Sequence, residues 1–431
     1  MNQLQTKIAT LGEAKIASPL SFCRFVPDSQ RLQLHVPKEI RAGEEDNESV
    51  YQNFEEAGPR QKIYYDPTKV KCAIVTCGGL CPGINDVIRA IVMEAHHHYN
   101  VASILGIRFG LQGFVPEFGH EVIELTPAKV SEIHEFGGTM LGSSRGHQSP
   151  DLIVDALERM NISVLFMIGG DGTMKAAQVI SRELRNRKLK ISIIGIPKTI
   201  DNDIHFISKT FGFDSAVAKA TESIRSAHVE AIGAPNGIGM VKLMGRESGF
   251  IAAQSTLALK DVNFVLIPEI RFDLHGENGL LRHLEKRLED RGHAVIVVAE
   301  GAGQEHFDNT GTDASGNVIL GDICNILCSE IKKYFSQKAR DTTLKFIDPS
   351  YIIRSIPANA NDRVYCGFLG QNAVHAAMSG KTELVVSMLQ DYYIHLPLSL
   401  VTQKRRRLDP SSNFWSAVLE STGQPFSMCN D

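Results

Sequence analysis

From Val70 onward, short apolar runs that stop at glycine or proline alternate with stretches in which apolar residues recur at helical spacing. The runs Cys72–Cys77, Ser103–Ile107, Val164–Ile168 and Ser192–Ile196 predict one set of strands. Gly239–Leu243, Phe264–Ile267 and Ala294–Ala299 predict a second set. Between Pro82 and His98, residues Ile84, Val87, Ile88, Ile91, Val92 and Ala95 keep a 3.6-residue period. Pro82 sits where a first helical turn tolerates proline. Further helices are expected at Asp151–Met160, Thr173–Asn186, Asp214–His228, Ser248–Leu259 and Gly279–Asp290. Near-continuous apolar strands alternating with amphipathic helices imply an α/β chain: two Rossmann-like lobes with mostly parallel sheets covered by helices.

The pattern divides the chain into an N-terminal extension (1–69), a first lobe (70–212), a second lobe (213–352) and a C-terminal segment (381–431). The extension carries the acidic, turn-rich run Glu44-Glu45-Asp46-Asn47-Glu48 and is expected to be irregular and peripheral. At 431 residues the chain suits about two domains of ordinary size. Lys and Arg total 45 against 49 Asp and Glu, a balance that gives little diffuse attraction to nucleic acid or anionic lipid. The absence of an apolar leader or membrane-length run, with eight scattered cysteines, reads as a cytoplasmic protein rather than a disulfide scaffold. The pairs Cys77/Cys81 and Cys324/Cys328 lack zinc-site spacing, and His96-His97-His98 reads as a solvated helix end.

Three strand-to-helix turns carry the chemistry. Gly78-Gly79-Leu80-Cys81-Pro82-Gly83 brings backbone close to whatever lies over a helix N-terminus, which suits an anion or simply a tight turn. It is neither a Walker A sequence nor G-x-G-x-x-G. Gly169-Gly170-Asp171-Gly172-Thr173 surrounds one carboxylate with space. A carboxylate faces polyphosphate favourably only through a cation, so Mg²⁺ on Asp171 is the sensible partner. This turn also resembles loops of NAD kinases and diacylglycerol kinases. Pro197-Lys198-Thr199-Ile200-Asp201-Asn202-Asp203 separates these readings. It sets two carboxylates two residues apart at a strand end, where open α/β sheets hold ligands. One of them can take a hydroxyl proton during phosphoryl transfer; Thr199 and Lys198 can stabilise the transferring oxygens.

In this order and spacing the motifs resemble those of the phosphofructokinase family, over nearly everything from Val70 to about Met388, and most closely its long-chain plant and trypanosomatid branch. The resemblance implies a Mg²⁺- and ATP-dependent kinase for fructose 6-phosphate, assembled as a homo-oligomer (dimer or tetramer). It implies that Gly79, Arg145, Gly146, Gly170, Asp171, Gly172 and Thr173 hold the nucleotide phosphates. Asp201 is then the base, supported by Lys198, Thr199 and Asp203. Thr199, Ile200, Asp201, Met244, Gly245, Arg246, Glu300, Tyr351, Ile352, Ile353 and Arg354 contact the sugar phosphate, and Lys345 reaches a neighbouring subunit. It also implies that residues 353–380 return to the first lobe.

Departures from the short bacterial enzymes are Tyr351 where those have His, Lys345 where an Arg crosses subunits, Gly237 at a second such Arg, and Leu111 at a Tyr near the nucleotide. Pyrophosphate users of the family carry Asp at the place of Gly172 and share Lys198. Glycine there leaves volume and no charge for an α-phosphate, which favours ATP. The alternatives are a pyrophosphate-dependent phosphotransferase and a catalytically silent regulatory subunit; retention of Asp171, Asp201 and Asp203 argues against the latter. Lys404-Arg405-Arg406-Arg407 reads as a solvated basic run, or as a contact for an anionic effector or a subunit.

Overall fold

The computed structural model describes residues 5–21, 23–35, 51–308, 311–312 and 318–430; the acidic run at Glu44–Glu48 lies outside them. The chain divides into two compact units. The first takes residues up to Thr199, Ile204–Phe211 and Pro357–Arg405, and the second takes Ile200–Asp203, Gly212–Ile356 and the chain from Arg406 on.

The first unit is built on a nine-stranded sheet among the described residues. Its centre is parallel: Ser103–Ile107, Lys71–Thr76, Val164–Gly169, Ser192–Pro197 and Leu384–Leu389 lie side by side. Every residue of Val164–Gly169 and of Ser192–Pro197 is buried, as strands covered by helices on both faces must be. The helix Asp171–Asn186 buries Met174, Ala177, Ile180 and Leu184, one apolar stripe at three- and four-residue intervals. Removing the Leu184 side chain from this core should cost about 2–5 kcal/mol.

Antiparallel strands finish both edges, and here the structure corrects the expectation for the N-terminus. Tyr51–Glu56 pairs with Tyr392–Pro397 and with Arg31–His35, so the extension is part of the main sheet rather than peripheral. Phe54 is completely buried in the core. Beside it, Glu55, Arg60 and Lys381 form a buried ion-pair cluster, with His395 Nδ1 in hydrogen-bond contact with Glu55 Oε1 (2.9 Å), joining the extension to the late strands. Burial alone would raise the Glu55 carboxyl, but His395 and Lys381 hold it well below the usual carboxylate range.

The second unit has a four-stranded, all-parallel sheet in the order Phe264–Leu266, His293–Ala299, Gly237–Leu243, Thr343–Ile347. Its own core gathers Ile238, Met240, Leu284, Ile296, Val298 and Leu327, and Met428 joins them from the chain's end. The mostly parallel α/β architecture is therefore the expected one. The boundaries differ. The return to the first unit runs from Pro357 to Arg405, past the expected end at 380, so the segment 381–431 is not separate but split at Arg405/Arg406. Residues 200–203, placed by sequence in the first lobe, belong to the second unit.

Candidate active site

In the first unit three turns converge through backbone and one lysine. Cys77 N–H donates to Ile168 O (2.9 Å) and Lys198 N–H donates to Gly169 O (2.9 Å), so the three strand ends are held in register. The Lys198 side chain is buried, and its ammonium donates to Gly79 O. Ser143 Oγ donates to Gly78 O (2.6 Å), which fastens the loop carrying Arg145 and Gly146 to the first turn; Arg145 itself is exposed. Gly83 needs its left-handed backbone (φ 98°) and its missing Cβ, which would stand 2.7 Å from Cys366 Sγ.

The glycines facing outward from these turns have another character. A Cβ on Gly79, Gly146 or Gly172 would meet no atom within 4 Å. This open cradle borders Asp171, the first residue of its helix, where unpaired N–H groups and the dipole favour an anion. Asp171 Oδ2 lies 2.8 Å from Lys175 Nζ and 3.6 Å from Arg405 Nε. Thr173 is buried, and its N–H donates to Gly170 O (2.9 Å).

In the second unit the segment Ile200–Asp203 is held by its backbone: Ser248 Oγ donates to Asp201 O (3.1 Å), and Arg406 N–H donates to Asp203 O (2.8 Å). Burial, then the carboxylates of Asp203 and Glu300, push the Asp201 carboxyl up to about 7. The Arg354 guanidinium and the Arg246 backbone pull it the other way. Four residues singled out from sequence thus surround Asp201. The strand Gly237–Leu243 delivers Met244-Gly245-Arg246, and the adjacent parallel strand His293–Ala299 delivers Glu300. Glu300 N–H donates to Leu243 O (2.8 Å) and Gly301 N–H to Gly245 O (3.0 Å), which locks the two strand ends together. Lys242, Arg246, Glu300 and Asp322 line a cleft of about 300 Å³ in this unit. That is the lower end of ligand-sized pockets. A larger cavity of about 380 Å³, in the first unit between Leu11 and Lys188, carries none of the motif residues.

The stretch at 351–354 divides. Arg354, in the short helix Ser350–Ser355, acts on Asp201. Tyr351 is 83% exposed and Ile352 56%, whereas Ile353 is fully buried. The Ile353 side chain belongs to the core. Met244 is likewise 1% exposed and serves as packed wall. Lys345, on the strand Thr343–Ile347, is half-exposed and pairs with Glu230 at 3.7 Å. The basic run is the feature that sequence reasoning misjudged. Arg405 sits on Asp171, and Arg406 lies over the Phe250 ring at 4.5 Å while its backbone holds Asp203. Consecutive cations gave no periodic signal for this.

Comparison with known proteins bears on the same stretch of chain. A family model described as Phosphofructokinase matches residues 71–377. An ATP-dependent 6-phosphofructokinase of Borreliella burgdorferi is 49% identical over 442 aligned residues, covering 99% of this chain and 98% of that one. An ATP-dependent 6-phosphofructokinase of Trypanosoma brucei brucei is 46% identical, covering 85% of this chain and 75% of its own. Among solved structures, a pyrophosphate-dependent phosphofructokinase of Marinobacter aquaeolei superposes with a TM-score of 0.69 over 82% of this chain and 91% of that one. At 21% identity this likeness speaks for the fold alone.

Proposed function

The chain belongs to the phosphofructokinase family, and on that premise we propose that it is an ATP-dependent 6-phosphofructokinase. It transfers the terminal phosphoryl group of ATP to the 1-hydroxyl of fructose 6-phosphate, giving fructose 1,6-bisphosphate and ADP. The observation that carries the reading is Asp201. Its carboxyl is buried among two further carboxylates and raised to about 7, the range in which a carboxylate is an effective general base near neutral pH. As the sugar oxygen bonds to phosphorus and the bond to the ADP oxygen breaks, Asp201 takes the hydroxyl proton, with Asp203 supporting it through the same loop. Lys198 and Thr199 offset charge on the transferring oxygens. Arg246, Glu300 and Arg354 serve the sugar phosphate.

Mg²⁺ fits the first unit in a specific way. No group of three or more metal-ligating side chains occurs among the described residues. Asp171 is one carboxylate beside an open cradle, and Mg²⁺ commonly binds through one or two carboxylates plus substrate phosphates. Asp171 would hold the ion, which supplies charge neutralisation for the phosphates when bound. Gly79, Gly170 and Gly172 would cradle those phosphates with backbone N–H groups, Thr173 would complete the loop beside them, and Arg145 would reach them from its exposed loop.

The glycolytic role and eight free cysteines favour the cytoplasm. A homo-oligomer in which Lys345 enters a neighbouring subunit's site is what the family resemblance implies; sedimentation of active enzyme tests this, and a fully active monomer would contradict it. The function itself is tested by following fructose 1,6-bisphosphate in the unmodified protein and in Asp201→Asn. We expect product formation that requires both substrates, and a kcat lower by about 10²–10⁴-fold in the variant with fructose 6-phosphate affinity retained. Near-normal turnover by Asp201→Asn would remove Asp201 from the mechanism.

A further inference from the structure

The loop that carries Asp201 and Asp203 is held by two other stretches of the second unit. Between the two aspartates the chain passes through a left-handed residue, Asn202 (φ 57°), a conformation that non-glycine residues adopt sparingly. On one side Ser248 Oγ donates to Asp201 O (3.1 Å). On the other, Arg406 donates to Asp203 O from its backbone (2.8 Å) and to Asn202 O from Nη1 (3.4 Å). The Arg406 guanidinium also lies 4.5 Å over the ring of Phe250, the first residue of the helix Phe250–Leu259.

Both stretches meet at Glu269. Its Oε1 accepts the N–H of Gly249 (3.0 Å), next to Ser248, and the N–H of Leu408 (2.8 Å), two residues beyond Arg406. One oxygen shared by two donors ties two backbone segments to a single atom. Gly249 lets the carboxyl come this close: a Cβ there would stand 3.1 Å from Glu269 Oε2 and 2.4 Å from Ile267 Cγ2. Oε2 itself is buried and has no hydrogen-bond partner among the described residues. Burial raises the Glu269 carboxyl, and the N–H groups of Leu408 and Gly249 oppose that rise. A buried carboxyl is a costly way to join two loops if holding the fold is its whole task. The fold has other means here. Leu408 is buried, and the helix Asn413–Thr422 beyond it packs on Phe250–Leu259, so apolar contacts already anchor this stretch.

We propose that Glu269 is a positioning residue for the catalytic base. By holding Gly249 and Leu408 on one oxygen it sets Ser248 and Arg406, and through them the backbone that carries Asp201 and Asp203. The role rests on Asp201 being the base, as in the proposed function. It adds a residue outside the three motif turns that acts through backbone rather than on the substrate. It also gives the chain from Arg406 on a task in catalysis, since that stretch closes the Asp203 side of the loop.

The test compares full-length Glu269→Ala, Glu269→Gln and the core variant Leu284→Ala. Each is measured for Tm and for fructose 1,6-bisphosphate formation across pH, well below Tm. Glu269→Ala should lower kcat by about tenfold to a hundredfold, as a displaced catalytic group does, with KM for Mg-ATP unchanged. The acid limb of its kcat/KM profile should move to lower pH. Burial raises Asp201 first, then the carboxylates of Asp203 and Glu300, against Arg354; a loosened loop admits water and weakens the rise. Glu269→Gln keeps the accepting oxygen and should restore both kcat and the limb. Leu284→Ala should lower Tm by opening a cavity in the same unit's core, with kcat and the limb in place.

Unchanged kcat and limb in Glu269→Ala overturn the proposal. So does a fall in Tm alone, matching Leu284→Ala, which would make Glu269 a clasp on the fold. Glu269→Gln as impaired as Glu269→Ala would give the role to the charge and also contradict it. Should Glu269→Ala fail to fold, Ser248→Ala decides, because it removes only the hydroxyl on Asp201 O. A lower kcat with a shifted limb there supports the proposal, and normal values of both sink it. If Asp201→Asn turns over normally, the proposed base fails first and this inference with it.

Discussion

Glycines crowd the strand ends of both units, yet they are there for opposite reasons. In the first unit a Cβ on Gly79 or Gly172 would enter open space. In the second, a Cβ on Gly301 would lie 1.9 Å from Arg246 O, and one on Gly245 would lie 2.4 Å from Ser248 O. Around Gly79 and Gly172 the first unit leaves open space, which the proposed function gives to the donor. The second packs backbone on backbone and holds Arg246 and Glu300 beside Asp201, which the proposed function gives to the sugar. Emptiness serves a polyphosphate, which needs many N–H groups and room; density serves a base, whose strength depends on burial and on fixed neighbouring charges. A Gly-rich turn is therefore ambiguous in sequence, and its meaning lies in what surrounds the absent Cβ.

Gly301→Ala should break the dense half outright. The clash is with backbone that cannot rotate away, so a loss of about 3 kcal/mol or more and a clear fall in Tm are expected. Gly172→Asp should leave Tm near normal but depress ATP turnover sharply, by steric overlap and like-charge repulsion. Gly172→Ala sharpens the contrast further. In a helical position with no clash, alanine should stabilise the protein by about 0.5–1 kcal/mol while still lowering ATP turnover. Stabilisation with full activity would show that the space beside Asp171 is not used by the donor.

Arg354→Ala probes the electrostatics of the dense half. KM for fructose 6-phosphate should rise by about tenfold or more, with KM for ATP little changed. The acid limb of the kcat/KM profile should also move. In the unmodified enzyme Asp201 must be ionised to accept a proton, so activity should fall as pH drops through about 7. An unperturbed aspartate would place that limb near 4. Arg354 lowers the Asp201 pKa, so its removal should shift the limb to higher pH. The same burial has a cost for stability. A carboxyl with a raised folded-state pKa is bound to its proton more tightly in the folded state, so stability declines as pH climbs from the unfolded value toward 7. Asp201→Asn should accordingly raise Tm at pH 8 while lowering kcat by about 10²–10⁴-fold.

Much of this was legible in the sequence where pattern and chemistry coincide. Ser103–Ile107 and the strands bearing the three motif turns were placed to within a residue or two, because mostly buried parallel strands leave a strong apolar signal. The helix Ala360–Met378 was not predicted from periodicity. It buries residues around most of its circumference, from Asp362 and Tyr365 to Ala377, so no apolar stripe stands out. The hairpin of Leu384–Leu389 and Tyr392–Pro397 turns at Gln390-Asp391, both with positive φ, without the glycine or asparagine that usually announces such a turn. The N-terminal extension misled because its polar composition hid a buried ion-pair cluster. Glu55 and Arg60 stand five positions apart, but His395 lies 340 positions from Glu55, so no local pattern announces the cluster they form. Arg405 escaped for the same reason.

The most direct test of the account is the donor used by the unmodified enzyme. Fructose 1,6-bisphosphate formation should be measured with Mg-ATP and with Mg-pyrophosphate at matched concentrations. Gly172 leaves the volume and the neutral surface that an α-phosphate and ribose require, so turnover with Mg-ATP and negligible turnover with Mg-pyrophosphate are predicted. Lys198, which faces Gly79 O, should serve the transferring charge without deciding the donor, so Lys198→Gly should lower kcat with ATP and leave the preference intact. A preference of the unmodified enzyme for pyrophosphate would contradict the steric reading of Gly172.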